Sequence, residues 1–295
     1  MTQFLQATLY GLLQGGLYAL AALGFSLVWG VMNVINVAQG SFVIIGAYIA
    51  WELANEAGID PFLGMFVAAA VLFVFGYALQ RLVINFVVNA PVFITLLLTF
   101  GIDLMLVEGM NIIFTGNYRA VQTSYASHSI QVLPQVFLPV GRLLAFGVAL
   151  VVTVVLATLV KHTRVGLSIM ATGMDRGAAR LMGINARHVY GLVFGIAAAV
   201  AGLGGAMIGT VDTFSPASAA SLTLISFVVA VLGGLGNVYG GLLGGLVLGL
   251  IESWGGQYLP GSWQDALAFV VFVLVLVIRP QGLVGKAYFA ARTEV

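Results

Sequence analysis

The chain has no cysteine, which excludes disulfides, thiol catalysis and cysteine-bound metal. It is almost as poor in charge. Its 11 Lys+Arg and 10 Asp+Glu are 7 % of 295 residues, where a soluble domain carries roughly 25 %. A net charge of +1 gives no clustered basic face to hold nucleic acid. No lysine or arginine precedes Arg81, so the start lacks the basic stretch of a cleavable secretory signal. His128, His162 and His188 are scattered without metal-ligand spacing, and no metal site is expected. The only Gly-Lys pair, Gly285-Lys286, is followed by Ala287, and Pro280 stands where a phosphate-binding loop needs its first glycine. No cofactor is therefore expected on this chain, and any ATP chemistry belongs to a partner.

What is present is apolar. Hydrophobic residues make up 61 % of the sequence, and mean hydropathy is +1.10. One or two soluble cores could not hide that much apolar surface. The long continuous apolar runs point to helices rather than barrel strands. The expected fold class is therefore all-α: a polytopic integral membrane protein, one transmembrane domain over residues 1–295. Candidate spans are Thr8–Val31, Asn36–Trp51, Pro61–Gln80, Val92–Phe114, Leu143–Val160, Val189–Thr210 and Ala266–Ile278. With them comes a glycine-broken pair within Leu222–Glu252, either two short crossings or a re-entrant hairpin. That is about seven full spans plus the pair, or eight to nine segments.

Basic residues orient the chain. Arg81, the group Lys161, Arg164, Arg176, Arg180 and Arg187, and the tail residues Arg279, Lys286 and Arg292 fall on one side, expected to be cytoplasmic together with the C-terminus. Arg119 and Arg142 fall outside, as do Glu52, Glu56 and Asp60, with Asp212, Glu252 and Asp265 at or near the outer edge. Glycine is abundant, 38 residues, about 13 % against a usual 7 %. Pairs such as Gly240/Gly244 and Gly245/Gly249 are spaced for close helix packing. The denser Gly233–Gly241 reads as a break between half-helices, with Gly30–Gly40 as its counterpart. Two matching breaks suggest an internal inverted repeat with the transport path at its interface. Asn33, Asn36, Gln39 and Ser41 at the first break, and Asn237 and Tyr239 at the second, either line that path or bond neighbouring helices.

The loop 161–188 carries the other signal. Thr172 and Asp175 read as the start of a short helix and Gly183 as its left-handed stop, enclosing about ten residues, roughly 15 Å. Ala178, Leu181 and Met182 form an apolar face, and Arg176 and Arg180 a basic edge. Such a helix either rests on lipid or docks a cytoplasmic partner. Within Val92–Phe114, Asp103 falls near the midplane with no expected basic partner, and Glu108 near the outer end. Either a bond to a neighbouring helix or a gating or sensing role would account for Asp103.

Nearly end to end, the chain resembles the permease subunits of bacterial branched-chain amino acid ABC importers. The resemblance rests on Gly30-Val-Met-Asn33 with Asn36 and Gly40, Gly46-Ala-Tyr48, Thr163-Arg-Val-Gly166, and Ala178-Ala-Arg-Leu-Met-Gly-Ile-Asn185. It continues in Val231-Leu-Gly-Gly-Leu-Gly236, then Gly240 to Glu252, and Arg279-Pro-Gln-Gly-Leu283. It implies alternating access in a bacterial inner membrane, with loop 161–188 as the coupling helix, its contacts drawn from Asp175, Arg176, Ala178, Arg180, Leu181, Met182 and Gly183. The implied partners are a second homologous permease, two cytoplasmic ATPase subunits holding ATP and Mg, and a periplasmic substrate-binding protein. The resemblance also implies histidine where Gln39 stands, and small neutral residues where Asp103 and Glu108 stand. The competing reading is an ion-coupled transporter or channel for a small polar solute such as urea or an amide.

Overall fold

The computed structural model describes residues 2–121, 123, 128–133, 136–258 and 264–285. Lys286, Arg292 and Glu294 lie outside the described residues. Helix α1 (Thr2–Met32) is followed by an unwound segment, 33–38, and by α2 (Gln39–Ala57). Then come α3 (Pro61–Leu82), a 3-10 turn (Ile84–Phe86) and α4 (Val92–Phe114). A hairpin of β1 (Ser129–Leu133) and β2 (Val136–Pro139) leads into α5 (Val140–His162), a small departure from an all-helical chain. The rest is α6 (Arg164–Met174), α7 (Arg176–Leu181), α8 (Ala186–Val211), α9 (Ser218–Gly233), α10 (Val238–Tyr258) and α11 (Gln264–Ile278).

Among the described residues six helices are long and apolar enough to cross a membrane: α1, α3 with its 3-10 extension, α4, α5, α8 and α10. Helices α9 and α11 are apolar but shorter. The chain is thus a polytopic all-α membrane protein. Helices α1 and α8 are buried on most sides and form the centre, while α3, α4 and α5 bury one face each. Helix α10 packs on α1 through Gly241, Gly245 and Gly249, and on α9 through Gly240 and Gly244, so the four-residue glycine spacing serves two close contacts at once.

The basic loops gather at one end. There Arg176 donates to Asn89 Oδ1, Lys161 Nζ lies 4.7 Å from the centre of the Tyr239 ring, and Asn237 Nδ2 donates to Val284 O at 3.1 Å. At the opposite end Gln6 Nε2 donates to Phe137 O at 2.7 Å and Trp254 Nε1 to Thr8 Oγ1 at 3.1 Å. The stretch Leu222–Glu252 is a helical hairpin whose turn, 234–237, reaches the basic end. Leu283 N and Val284 N hydrogen-bond there to Leu232 O and Gly233 O. Of its two arms, α10 is long and apolar enough to cross a membrane and α9 is shorter.

Candidate functional site

Helix α2 starts in the interior of the bundle. The Gln39 side chain donates to Ala21 O at 2.9 Å, and Ala21 lies about three turns before the end of α1. Segment 33–38 thus climbs back along α1 without helical hydrogen bonds of its own. Backbone at that depth must find other partners. Thr99 of α4 supplies some: its Oγ1 donates to Ile35 O at 2.8 Å and accepts from Val37 N at 3.2 Å. Thr223 of α9 supplies the rest, donating to Val37 O and accepting from Gly40 N, both at 2.9 Å. Neither threonine stood out in the sequence, because a lone hydroxyl on an apolar helix is common and its partners are 62 to 186 residues away.

The partner of this break is not Gly233–Gly241, as the sequence reading held, but 212–217. That segment is also unwound and opens α9 with Ser215, Pro216 and Ser218. Gly40 rests on Ala219 O and on Thr223 of α9. Two helix N-termini therefore meet inside the bundle, each preceded by an unwound stretch and each carrying the partial positive charge of a helix start. Gly233–Gly241 was misread because dense glycine marks a tight hairpin turn as readily as a half-helix break.

The predicted residues divide accordingly. Asn36, Gln39 and Ser41 are buried together: Asn36 Nδ2 donates to Gln39 Oε1 at 3.3 Å, and Ser41 Oγ donates to Asp103 Oδ1 at 2.5 Å. Asp103 is 7 % exposed and meets α2 in its first turn. Asn36 Oδ1 is buried with no hydrogen-bond partner among the described residues. Asn33 stands apart: exposed, with φ of 52°, it closes α1 by donating its N–H to Trp29 O, an asparagine in a left-handed helix stop. Asn237 and Tyr239 also stand apart. Asn237 Oδ1 caps α10 by accepting from Tyr239 N and Gly240 N. Glu108 lies on the exposed face of α4, away from Asp103.

Above the junction, toward the opposite end, Tyr48 stacks on Phe114 at 4.2 Å and meets Phe214 edge-on at 5.0 Å. Arg119 covers them, 4.1 Å from the Trp51 ring centre, and donates to Phe114 O at 2.5 Å. Its backbone pairs with Phe214 in both directions. The junction is closed on this side by aromatic packing and a cation. It offers hydroxyl, amide and carboxylate groups; among the described residues no His/Asp/Glu group is arranged to hold a metal.

Two outcomes test this geometry. Thr99→Val is expected to lower stability by about 2–4 kcal/mol, since two backbone groups of 33–38 lose their partner in a medium without water. Thermal unfolding of the detergent-solubilised protein reads it, and an unchanged midpoint would contradict the assignment. Asp103→Asn is expected to assemble normally, because asparagine still accepts from Ser41. Loss of the assembled protein in that variant would show that the charge itself is structural.

The basic end differs from expectation in detail. Thr163 caps α6 by accepting from Gly166 N at 3.0 Å, and Asp175 caps α7 by accepting from Gly177 N and Ala178 N at 2.7 and 3.0 Å. One helix of ten residues is thus two, with Thr172 buried inside α6 and bonded to Ser168 O. Gly183 does stop α7, with φ of 81° and paired bonds from Gly183 N to Arg180 O and Ile184 N to Ala179 O. Ala179, not Ala178, is the buried residue of α7, while Leu181 and Met182 are 89 % and 82 % exposed.

Residues 7–276 match the family described as branched-chain amino acid transport system, permease component. The chain is 29 % identical over 295 residues to the high-affinity branched-chain amino acid transport system permease protein BraD of Pseudomonas aeruginosa, with 96 % of each chain covered. It is 28 % identical to the permease protein LivH of Escherichia coli K12, again with 96 % of each covered. It is 27 % identical to the probable permease protein LivH of Methanocaldococcus jannaschii, covering 93 % of this chain and 90 % of that one.

Proposed function

Because the chain belongs to the permease-component family of the branched-chain amino acid transport system, we propose that it moves branched-chain amino acids across the bacterial inner membrane through the junction of α2 and α9. One observation carries this reading: two helix N-termini, each preceded by an unwound segment, meet at depth beside Ser41, Gln39, Asn36 and Asp103. Half-helix starts and unwound backbone recognise a substrate carboxylate and ammonium without fixed charges, and small rigid-body shifts of one half against the other open the site to alternate sides.

Energy comes from outside the chain. Hydrolysis of ATP belongs to separate ATPase subunits, which hold ATP and Mg. Helix α7, with Asp175, Arg176, Ala178, Arg180, Leu181, Met182 and Gly183, docks one of them. Asp175 and Gly183 shape the helix, Leu181 and Met182 give an apolar tip, and Arg180 a charge. Arg176 ties α7 to Asn89 ahead of α4, so movement of α7 reaches the helix that carries Thr99 and Asp103. The basic end faces the cytoplasm with the C-terminus, and the opposite end receives a periplasmic substrate-binding protein. A second homologous permease completes the membrane core, and two ATPases drive it.

Reconstitution tests the whole. The chain with its partners in proteoliposomes is expected to take up leucine only with ATP and loaded binding protein. Uptake by the chain alone, driven by an ion gradient, would overturn the proposal.

A further inference from the structure

The aromatic cluster that closes the junction on its outer side holds two hydrogen-bonding groups that this closed arrangement leaves short of partners. Tyr48 of α2 is 1 % exposed, and its hydroxyl is buried with no hydrogen-bond partner among the described residues. A buried phenol normally finds an acceptor, so one without calls for a reason. The Arg119 guanidinium lies over the same rings, 5.9 Å from the centre of Tyr48 and 5.7 Å from that of Phe114. A guanidinium carries several N–H donors and no acceptor. Among the described residues one protein acceptor, Phe114 O, meets those of Arg119, and no carboxylate lies within ion-pair distance, since Asp212 pairs with Arg142. Both groups stand on the way to the junction. Tyr48 is nine residues beyond Gln39, about 13 Å along α2, and the backbone of Arg119 pairs with Phe214 in the segment that opens α9.

We propose that Arg119 and the Tyr48 hydroxyl form an outer subsite for the carboxylate of a zwitterionic substrate, which it enters as the aromatic cluster opens. The proposal rests on the amino-acid transport reading and adds two residues and a place to it. The chemistry is one-signed: guanidinium and phenol both offer donors, and a carboxylate is acceptor only. A guanidinium meets a carboxylate through two parallel charge-assisted hydrogen bonds, worth more than its contacts with ring faces. Binding therefore draws Arg119 off Trp51, whose ring centre is 4.1 Å away, and gives the Tyr48 hydroxyl the acceptor it lacks. The rings of Tyr48, Phe114 and Phe214 offer apolar surface to an aliphatic side chain. The substrate meets this subsite before it reaches the junction of α2 and α9.

Tyr48→Phe keeps the ring stacking and removes only the hydroxyl. In the assembled transporter its melting midpoint is expected to stay the same or rise, because no bond is lost. Leucine uptake at saturating loaded binding protein is expected to fall about threefold. A lowered midpoint would give the hydroxyl a structural partner and overturn its role. Arg119→Gln still reaches Phe114 O but carries no charge; uptake is expected to fall about tenfold at normal complex yield, and Arg119→Lys to recover part of it. Unchanged uptake in either Tyr48→Phe or Arg119→Gln overturns the subsite. So does full uptake by Arg119→Gln that merely needs more binding protein, which would place Arg119 in the contact with that protein. A direct probe addresses the carboxylate: L-leucine is expected to raise the melting midpoint of the wild-type transporter, leucinamide is not, and Arg119→Gln responds to neither. With wild-type leucine uptake present, equal responses to the two compounds overturn the subsite alone. Absence of wild-type uptake overturns the transport reading, and the subsite with it.

Discussion

Gly40→Val is expected to leave no assembled permease in the membrane. A side chain at position 40 projects against Ala219 O and onto Thr223 N and Oγ1, all in the first turns of α9. Two of the three are backbone atoms, which cannot rotate away as a side-chain tip can. To admit the valine, α2 and α9 must separate, and Gly40 N and Val37 O then lose Thr223. Overpacking and two orphaned backbone groups together cost about 4 kcal/mol or more, against a total stability of roughly 5–15 kcal/mol. Extraction and size-exclusion chromatography read the outcome. Gly109→Val is the control, because a side chain there meets nothing within 4 Å. Normal yield and uptake from Gly40→Val would mean that α2 and α9 do not meet as described.

Replacing Leu181 and Met182 together by aspartate is expected to abolish transport while sparing the fold. Both side chains are almost wholly exposed, so the permease loses no core contact. If they fill a groove on an ATPase subunit, each loses about 1.5–3 kcal/mol of apolar burial on docking, or at least a hundredfold in combined affinity. Co-purification of the ATPase should fail, and stimulation by loaded binding protein should disappear. Gly183→Val tests the same contact through the backbone, since a φ of 81° strains any β-branched residue and would re-aim the helix tip. Full stimulation in both variants would remove α7 from the coupling role.

Much of the architecture was legible in composition and order. Long uncharged runs marked the apolar helices: among the described residues six are long enough to cross a membrane, and α9 and α11 are apolar but shorter. Among the described residues, the basic loops that suggested a common side do share one end. Glycines four apart do pack helices closely. Reading failed where one residue type serves two structures. The Gly233–Gly241 cluster is a hairpin turn, and Asn33 and Asn237 are helix caps rather than members of a buried polar group. Thr172 looked like a cap because threonine three residues before an acid fits that pattern; it is buried in α6 instead, and Thr163 caps that helix.

The sequence by itself determined that the chain is a membrane protein built of several long apolar helices. Those properties follow from hydrophobicity, charge and local spacing, which depend only on near neighbours along the chain. The tertiary structure decided which breaks pair, that Thr99 and Thr223 hold segment 33–38, and that Ser41 meets Asp103. Each of these contacts joins residues 62 or more positions apart. In a bilayer the exposed backbone of an unwound segment takes whichever hydroxyl packing brings within reach. No local pattern encodes that choice.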